Sequence, residues 1–402
     1  MNSKMEKCKQ YYKKGILLKM IKRKSVNMTR PIWICIMRLF PINNTKICFD
    51  NFEGTGFGGD PKHICLELMK RNPNLKIIWF VRKKQENFLR NIKQVNIDSV
   101  AAIYHQSTAK VWVDNTRTGH RTKKRKGQYY LQTWHANVLA KKIEKDAEDK
   151  LWPSYIPVAK YDGLVTDAFI VANKRYLEVA KSSFWLNPNV EYLKIGAPAN
   201  DVLFQRKNDQ EYIYSIKQKL SINDNAYIVL YAPSFRDDGS IDGYKIDFER
   251  VKEAFRKTTN RTCIILVRFH PDVVQHEELF TYSNDLINVT RYPDLKDLSL
   301  ISDCLITDYS STAYDFLLLR KTIFRLCLDF NIYKDIRDVY DDFYKMPYAL
   351  AYTNDELVSE IMNFNNVDYQ KALNKYCEIN PVYDDGTSSK KAADWIERKL
   401  TI

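Results

Sequence analysis

Short apolar stretches of strand length alternate with helical patterns along most of this chain. In the first half the strand-like stretches are Lys46–Phe49, Ile77–Val81, Val111–Val113 and Tyr129–Gln132. In the second half they are Tyr227–Tyr231, Cys263–Val267 and Cys304–Ile306. Helical patterns lie between them, for example at Pro61–Lys70, Phe248–Lys257 and Thr312–Leu319. Because this alternation is typical of parallel sheets covered by helices, the chain is predicted to adopt an α/β fold.

The length of the chain indicates more than one folding unit. A chain of 402 residues is too long for one simple core, so two α/β halves are predicted. A hinge between them is expected in the polar run from Gly196 to Asp224. The predicted divisions are a basic segment 1–45, a first half 46–205, a second half 206–385 and a C-terminal helix 386–402.

The N-terminal region has the composition of a helix that lies on an anionic membrane surface. Residues 4–24 are dense in Lys and Arg, interleaved with Tyr, Ile, Leu and Met. A solvated basic tail and a nucleic-acid-binding arm are the alternatives, and Trp33 with its apolar neighbours favours the membrane. The run Ile32–Phe40 is too short to span a bilayer, contains Arg38 and ends at Pro41. No cleavage site of a signal peptide follows it.

Composition limits the classes of partner and cofactor. The formal net charge is +14, so the partner should be negatively charged: nucleic acid, an anionic membrane or a phosphate-rich substrate. The cysteines form no CxxC pair and no metal spacing, which indicates buried thiols in a reducing cytoplasm. No metal site, Walker loop or dinucleotide fingerprint is expected. The Gly-rich run 54–59 has the wrong spacing for one, and we interpret it as a flexible loop.

The segment Asp297–Phe316 contains a strand that ends in Thr307-Asp308, followed by a turn rich in hydroxyl groups. Ser310, Ser311 and Thr312 occupy that turn, and a helix is predicted to begin at Ala313. Backbone N–H groups at the start of a helix, together with hydroxyl donors, suit an anion such as a diphosphate. An ordinary helix cap is the structural alternative, because Ser and Thr are favoured caps anywhere.

Three further clusters of polar residues follow predicted strands. They are Gln132–His135, Tyr231–Asp237 and Val267–Pro271. Ligands of open α/β sheets bind outside the carboxyl ends of strands, so these clusters and the Ser-Ser-Thr turn are expected to meet in one crevice. Each cluster alone has a structural explanation, such as a hydrogen-bonded histidine, a surface arginine or a turn proline. Four clusters at strand ends together favour a functional site.

These clusters, in this order, resemble the CDP-glycerol glycerophosphotransferase family of bacterial teichoic acid and capsule synthesis. The resemblance runs from about Ile47 to the C-terminus. The segments that carry it are GGDPKHI at 58–64, LQTWHA at 131–136, IGAPANDVLF at 195–204, YAPSFRDD at 231–238, RFHP at 268–271, DLSLISDCLITDYSSTAYDF at 297–316 and DDGTSS at 384–389.

The resemblance implies a GT-B architecture, in which two Rossmann-like domains with parallel sheets face each other across a cleft. The first half would bind the acceptor and the second the CDP-alditol donor. The implied activity is transfer of glycerol phosphate from CDP-glycerol to an undecaprenyl-diphosphate-linked glycan or teichoic acid acceptor, with release of CMP. The implied location is the cytoplasmic face of the bacterial cell membrane, as a peripheral protein. No cofactor and no metal are implied.

The sequence is also compatible with two other enzymatic activities. Ribitol phosphate transfer from CDP-ribitol shares the family's motifs, and a GT-B glycosyltransferase that uses a nucleotide sugar shares the fold. Binding of nucleic acid would fit a basic, aromatic-rich chain, but no recognised nucleic-acid module is visible, so no nucleic-acid partner is expected.

The site roles follow from the motifs and the chemistry. We expect His135 to act as general base, and Arg236 and His270 to supply positive charge or hydrogen bonds to the leaving CMP. The residues expected to contact the substrate are Trp134, Pro233, Ser310, Ser311 and Thr312. Asp308 is expected either to fix the turn or to contact the hydroxyls of the alditol.

The chain departs from the family pattern at two places. The family usually has His-Gly-Thr-Pro-Leu-Lys after Gln-Thr-Trp, whereas this chain has His135 to Ala140, and basic residues resume only at Lys141-Lys142. The family often has Pro-Arg-Asn-Asp where this chain has Pro198-Ala199-Asn200-Asp201. Both changes remove groups that are expected near the cleft, so the acceptor and the alditol are the open parts of the assignment.

Overall fold

The computed structural model describes residues 28–86, 88–118, 122–137, 140–236, 239–269 and 277–402. The basic run 4–24, Asp237 and the candidate His270 with its neighbour Pro271 lie outside these residues. What the sequence predicts for them stays a prediction.

The first sheet has seven parallel strands in the order β3-β2-β1-β4-β5-β6-β7. The strands are β1 Asn43–Phe49, β2 Lys76–Val81, β3 Lys93–Asn96, β4 Ala109–Asp114, β5 Tyr129–Gln132, β6 Ala168–Val171 and β7 Glu191–Lys194. In the central register Cys48 of β1 lies between Ile78 of β2 and Trp112 of β4.

The second sheet has six parallel strands in the order β10-β9-β8-β11-β12-β13. The strands are β8 Tyr227–Tyr231, β9 Cys263–Val267, β10 Leu286–Asn288, β11 Cys304–Thr307, β12 Thr322–Leu326 and β13 Ala349–Ala351. The two parallel sheets confirm the predicted α/β fold, and the strands predicted from the sequence lie within one residue of their observed bounds or inside them.

Helices connect the strands in both halves. They are α1 28–37, α2 Gly59–Arg71, α3 Val100–Thr108, α4 Ile156–Val165, α5 Lys174–Ser183, α6 Asp201–Arg206, α7 Gln210–Lys219, α8 Phe248–Thr259, α9 Leu295–Ile301, α10 Ala313–Leu318, α11 Phe330–Arg337, α12 Asn354–Met362, α13 Asn366–Ile379 and α14 Ser388–Thr401. None of the helices in the described ranges is both long and apolar enough to cross a bilayer.

Helix α8 illustrates how local sequence sets the elements of the second half. The Asp247 side chain accepts a hydrogen bond from the Arg250 N–H and so caps the first turn. Phe248, Val251 and Phe255 recur at helical spacing and are buried against the second sheet. Asn260 ends the helix in a left-handed conformation, with φ of 54°. Capping and periodicity therefore agree with the observed bounds.

The C-terminal helix α14 packs on the first sheet, not on the second. Ala392, Ala393 and Ile396 belong to the same buried cluster as Ile47 and Phe49 of β1. The indole N–H of Trp395 donates to Glu191 at the start of β7, at 2.7 Å. The chain therefore passes from the first half to the second after β7 and returns before α14. The predicted domain boundaries stay predictions.

A buried polar junction lies where the chain makes these two passages. Asp384 accepts hydrogen bonds from the Ala197 N–H at 2.9 Å, from Asn200 Nδ2 at 3.0 Å and from the Tyr314 hydroxyl at 2.8 Å. Asp60, at the start of α2, accepts from the Ala199 N–H at 2.7 Å. Residues from four of the sequence motifs therefore meet at this junction, which holds the start of the predicted hinge in place.

Gly196 is required at this junction. Its φ is +82°, and a Cβ there would lie 2.6 Å from the Cα of Asp384. Both the backbone conformation and the close approach exclude a larger residue.

Asp60 gives the junction a pH dependence. Burial raises its pKa to about 7, so the folded chain holds the proton more tightly than the unfolded chain does. Its contribution to stability is therefore complete below about pH 4 and is lost as the pH rises through about 7. Relative to the parent, Asp60→Asn should gain about 1.4 kcal/mol of unfolding free energy per pH unit between about pH 5 and about pH 7, measured by urea denaturation.

The test uses the difference in unfolding free energy between Asp60→Asn and the parent at each pH. Burial lowers the pKa of His63 to about 4 and that of His105 to about 4, and these groups give the opposite slope in the same range. Burial also raises the pKa of Asp384 to about 6. Because the two histidines are present in both proteins, their contributions cancel in the difference, whereas the charge of Asp384 is itself one of the causes that raise the pKa of Asp60. If the free energy of unfolding changed with pH in the same way in parent and variant, this result would contradict the assignment of the proton to Asp60.

Candidate active site

The carboxyl ends of strands from both sheets surround one cavity of about 640 Å³. Residues that follow β1 and β5 form the wall on the first half, and residues that follow β8, β9 and β11 form the wall on the second half. The lining residues are Phe52, Thr55, His135, Ala136, Ala140, Lys141, Ala232, Pro233, Ser234, Phe235, Arg268, Phe269, Leu295, Tyr309, Ser310, Ser311 and Thr312. Described residues from all four predicted clusters therefore line this one cavity.

The turn Ser310–Thr312 lines this cavity at the end of β11. The hydroxyls of Ser310 and Thr312 lie 3.0 Å apart, and the Ser311 carbonyl accepts from the Tyr314 N–H at 3.0 Å. Within the described part of the chain, no hydrogen bond uses the amide N–H of Ser310 or Ser311. The turn therefore presents hydroxyl and amide donors to the cavity, which is the chemistry that a phosphate group needs.

Asp308 fixes this turn from behind. Its Oδ1 accepts from the Ser234 N–H at 2.8 Å and from the Tyr309 N–H at 2.6 Å, and its Oδ2 pairs with Arg236 Nη2 at 2.8 Å. The side chain is buried and joins the ends of β8 and β11. Of the two expected roles, this geometry favours fixing the turn over contact with the alditol.

Arg236 lies between two carboxylates and does not line the cavity. Besides Asp308 it binds Asp329, with Nη2 3.0 Å from Oδ1, and Nη1 donates to the Ser234 carbonyl at 2.7 Å. Burial alone would lower the pKa of Arg236, but the two carboxylates raise it well above its ordinary value. The guanidinium also lies 5.3 Å from the centre of the Tyr309 ring. Its charge is neutralised there, so the geometry favours a positioning role over the predicted direct contact with CMP.

His135 reaches the cavity from the end of β5. Its Nδ1 lies 2.7 Å from the carbonyl oxygen of Asn115. A carbonyl oxygen only accepts, so Nδ1 carries the proton and Nε2 is the basic nitrogen of the neutral ring. The ring stacks on Trp134, with 4.4 Å between ring centres, and lies 5.0 Å from the ring centre of Phe52. The orientation that proton transfer needs is therefore set by neighbouring residues.

Trp134 supports His135 from the protein interior. The residue is 7% exposed and its backbone has φ of 55°. Its backbone N–H donates to the side-chain oxygen of Gln132 at 2.8 Å. The Arg117 guanidinium lies 4.9 Å from its ring centre. Trp134 does not line the cavity, so this geometry favours a supporting role over the expected substrate contact. Pro233, the other hydrophobic candidate, does line it.

The glycine-rich loop after β1 is fixed by hydrogen bonds, which corrects its interpretation as a flexible loop. Asp50 accepts from the Gly54 N–H at 2.7 Å, and Asn115 accepts from the Phe52 N–H at 2.8 Å. Phe52 and Glu53 both adopt positive φ, at 43° and 51°. Buried asparagines and aspartates provide bonds that composition alone does not reveal. The loop brings Phe52 and Thr55 to the cavity, and sequence reasoning missed both.

Lys141 and Arg268 also line the cavity and were not among the predicted site residues. Arg268 lies in the strand-end cluster Val267–Pro271, which is predicted to reach the crevice, but no role is predicted for this residue from the sequence. Lys141 lies in an irregular segment and pairs with Val339 through an isolated β-bridge, a contact that no sequence pattern indicates. Within the described ranges, no group of three or more His, Cys, Asp or Glu side chains is placed to hold a metal ion.

The sequence profile of the CDP-Glycerol:Poly(glycerophosphate) glycerophosphotransferase family matches residues 33–398. The chain belongs to this family. The teichoic acid poly(glycerol phosphate) polymerase of Staphylococcus epidermidis is 31% identical over 374 residues, which cover 88% of this chain and 50% of that polymerase. The teichoic acid glycerol-phosphate transferase of Staphylococcus aureus is 29% identical over 375 residues, which cover 88% of this chain and 93% of the relative.

A solved structure of a variant of the wall teichoic acid polymerase TagF is similar to this family member over nearly its whole length. The TM-score is 0.81 at 27% identity, and the match covers 96% of this chain and 97% of the other. A further TagF structure, soaked with CDPG, also has a TM-score of 0.81. These matches agree with an α/β, GT-B-like arrangement of two parallel sheets. The chain spans about half the length of the S. epidermidis polymerase.

The charge on Asp308 should be required to hold the Ser310–Thr312 turn. Asp308→Asn keeps an acceptor for the N–H groups of Ser234 and Tyr309 but leaves Arg236 with one carboxylate. We expect the free energy of unfolding to fall by roughly 1–3 kcal/mol in urea denaturation, the cost of an incompletely paired buried charge.

Asp242→Asn is the matched control. Asp242 pairs with Lys245 at 2.6 Å, but both side chains are more than half exposed, so its loss should change stability little. Equal effects of the two substitutions would contradict the importance of the buried pair.

Proposed function

We propose that this chain transfers glycerol phosphate from CDP-glycerol to a lipid-linked teichoic acid or capsule acceptor and releases CMP. The observation that carries the proposal is the convergence of His135 and the Ser310–Thr312 turn on one cavity between the two sheets. Because the chain belongs to the glycerophosphotransferase family, we assign transfer of a glycerol phosphate group to this cavity. Names of relatives and the CDPG-soaked TagF structure support glycerol phosphate as the group transferred.

The reaction is a displacement at the phosphorus that bears glycerol. The oxygen of an acceptor hydroxyl forms a bond to this phosphorus, while the bond from phosphorus to the bridging oxygen breaks. CMP leaves with that oxygen and its electron pair, and the hydroxyl proton passes to a base. The protein must orient the two reactants, accept the proton and stabilise negative charge on the phosphates.

His135 is suited to accept that proton. The Asn115 carbonyl holds the proton on Nδ1, so Nε2 is the nitrogen that accepts a proton from the acceptor hydroxyl. Imidazole has an ordinary pKa near neutrality, which suits proton transfer under cellular conditions. Ser310, Ser311 and Thr312 would bind the diphosphate, with Asp308 and Arg236 holding the turn behind them. A contribution of His270 to the leaving CMP remains part of the proposal.

Ribitol phosphate is the second candidate for the group transferred. The teichoic acid ribitol-phosphate primase of Bacillus spizizenii is 24% identical to this chain over 375 residues. Higher identities to relatives named for glycerol phosphate favour glycerol. A nucleotide sugar is the third candidate, because the fold is shared with glycosyltransferases.

We also propose that the protein acts at the cytoplasmic face of the membrane, on anionic lipid. Helix α1 exposes Met28, Ile32 and Ile36 at helical spacing, with Met28 84% and Ile32 61% exposed. The helix adjoins the basic run Lys123–Lys126, where Arg38 donates to the Lys123 carbonyl at 2.6 Å. Apolar side chains beside basic ones are the combination that binds an anionic membrane surface.

Replacement of His135 should separate catalysis from binding. With CDP-glycerol as donor, His135→Ala should lower kcat by about a hundred- to ten-thousand-fold, because the general base is lost. Its Kd for CDP-glycerol, measured by calorimetry, should stay close to that of the parent. Ser311→Ala should instead weaken binding of CDP-glycerol, because a donor to the diphosphate is lost.

Each variant is the control for the other, because His135 and Ser311 line the same cavity. Near-normal turnover of His135→Ala would exclude its role as base, and unchanged affinity of Ser311→Ala would exclude the diphosphate contact. The donor itself is tested on the parent with CDP-glycerol, CDP-ribitol and a UDP-sugar. Turnover with CDP-ribitol or the UDP-sugar, but not with CDP-glycerol, would overturn the proposed donor.

Membrane binding should depend on the apolar face of α1. Ile32→Asp should reduce co-sedimentation of the full chain with phosphatidylglycerol vesicles, because a carboxylate is placed where apolar surface meets anionic lipid. Val367→Asp is the matched control, since Val367 is 63% exposed on α13 in the second half. Equal losses in the two variants, or none in Ile32→Asp, would argue against this surface.

A further inference from the structure

The wall of the active-site cavity carries positive charge from both halves of the protein. Lys141 comes from the first half and Arg268 from the second, and no Asp or Glu is among the described residues that line the cavity. A cavity with basic and hydroxyl-bearing walls and no acidic side chain suits a ligand with more than one negative charge. Binding of one ligand to both walls would also hold the two halves together.

Arg268 is held in place without a carboxylate partner in the described part of the chain. Its Nη1 donates to the carbonyl oxygens of Tyr292 at 2.7 Å and of Val289 at 3.3 Å. These bonds orient the guanidinium but do not neutralise its charge. Burial lowers the pKa of Arg268 from its ordinary value, although an arginine stays protonated near neutral pH. The result is an oriented, half-buried cation at the end of β9, two strands from the Ser310–Thr312 turn.

Lys141 is directed to the cavity, whereas its neighbour Lys142 is directed away from it. The Lys141 ammonium lies 5.5 Å from the centre of the Phe235 ring, which also lines the cavity. The Lys142 ammonium instead pairs with Asp338 at 2.6 Å. An isolated antiparallel bridge between Lys141 and Val339 sets this alternation, because successive side chains of an extended chain point to opposite sides. Two adjacent lysines therefore have different environments.

Arg236, the arginine that the sequence favoured, does not provide this charge. Asp308 and Asp329 both pair with it behind the turn. Arg236 also does not line the cavity, and the Lys and Arg side chains among the described lining residues are Lys141 and Arg268.

We propose that Lys141 contacts the phosphoryl group that is transferred and that Arg268 contacts the phosphate that leaves as CMP. This inference rests on the proposed function. Lys141 comes from the same wall as His135, and its ammonium lies 5.5 Å from the ring centre of Phe235 on the opposite wall, so it reaches the space between the proposed base and the donor. Arg268 shares its wall with the Ser310–Thr312 turn, which would bind the donor diphosphate.

The two contacts have different consequences for the reaction. Charge grows on the leaving phosphate as the bridging bond breaks, and a guanidinium oriented beforehand stabilises that charge without further reorganisation. The transferred phosphoryl group keeps its charged oxygens through the transition state, and an ammonium on the acceptor wall screens them from the approaching hydroxyl oxygen. Lys141 is therefore a specificity residue for ligands with a second phosphate, whereas Arg268 acts on any ligand that contains CMP.

The test compares CDP-glycerol with CMP as ligands of the full-length protein by calorimetry. Arg268→Gln should weaken binding of both ligands by about ten- to a hundredfold, the usual effect of losing a hydrogen bond to a charged group. Lys141→Gln should weaken CDP-glycerol by a similar factor and leave the Kd of CMP within about twofold. Lys141→Arg and Arg268→Lys, which keep the charge, should recover part of the lost affinity.

Lys142→Gln is the matched control for Lys141→Gln and should leave both affinities unchanged. Equal weakening of CMP and CDP-glycerol in Lys141→Gln would overturn the assignment of Lys141 to the transferred group, and parental affinity for CDP-glycerol would overturn the contact itself. Parental affinity for CMP in Arg268→Gln, with its thermal unfolding unchanged, would overturn the role of Arg268. Failure of the parent to bind or turn over CDP-glycerol would instead reject the proposed function.

Discussion

The buried ion pair of Arg236 with Asp308 and Asp329 determines the shape of the active-site wall in the second half. Asp308 follows β11, Asp329 follows β12 and Arg236 follows β8, so the three charges join the ends of three neighbouring strands. Burying such charges is costly unless all are paired, and the observed arrangement of the loops pairs all three. The Ser310–Thr312 turn lies directly after Asp308 and therefore takes its position from this network.

A comparable arrangement of buried polar groups holds the other side of the cavity. Arg117 binds Asp162 and Glu144, and its guanidinium lies against Trp134. Trp134 in turn carries His135 into the cavity in a strained backbone conformation. On both walls, a buried arginine paired with two carboxylates lies behind the residues with the proposed chemistry. The cationic side chains proposed to contact the substrate and the buried arginines that organise the site are thus different residues.

The junction around Asp384 couples the two walls to the connections between the halves. Tyr314, two residues after the phosphate-facing turn, donates to Asp384 and to the Ala172 carbonyl in the first half. Lys296 bridges Asp315 and Asn200 at 2.5 and 2.6 Å. The helix that begins after the turn is therefore anchored across the cleft, so relative movement of the halves would be transmitted to the Ser310–Thr312 turn.

Local pattern located the central strands of both sheets, several helices and the strand-end clusters, because apolar periodicity and capping act over a few residues. It thereby located Ser310–Thr312 and His135 at one edge of the fold. Only the tertiary structure decided which cationic side chains line the cavity. Arg236 is neutralised by Asp329, 93 positions away, and Lys141 is directed to the cavity by a bridge to Val339. The effective charge of a side chain depends on its neighbours in space, and long-range packing alone sets those neighbours.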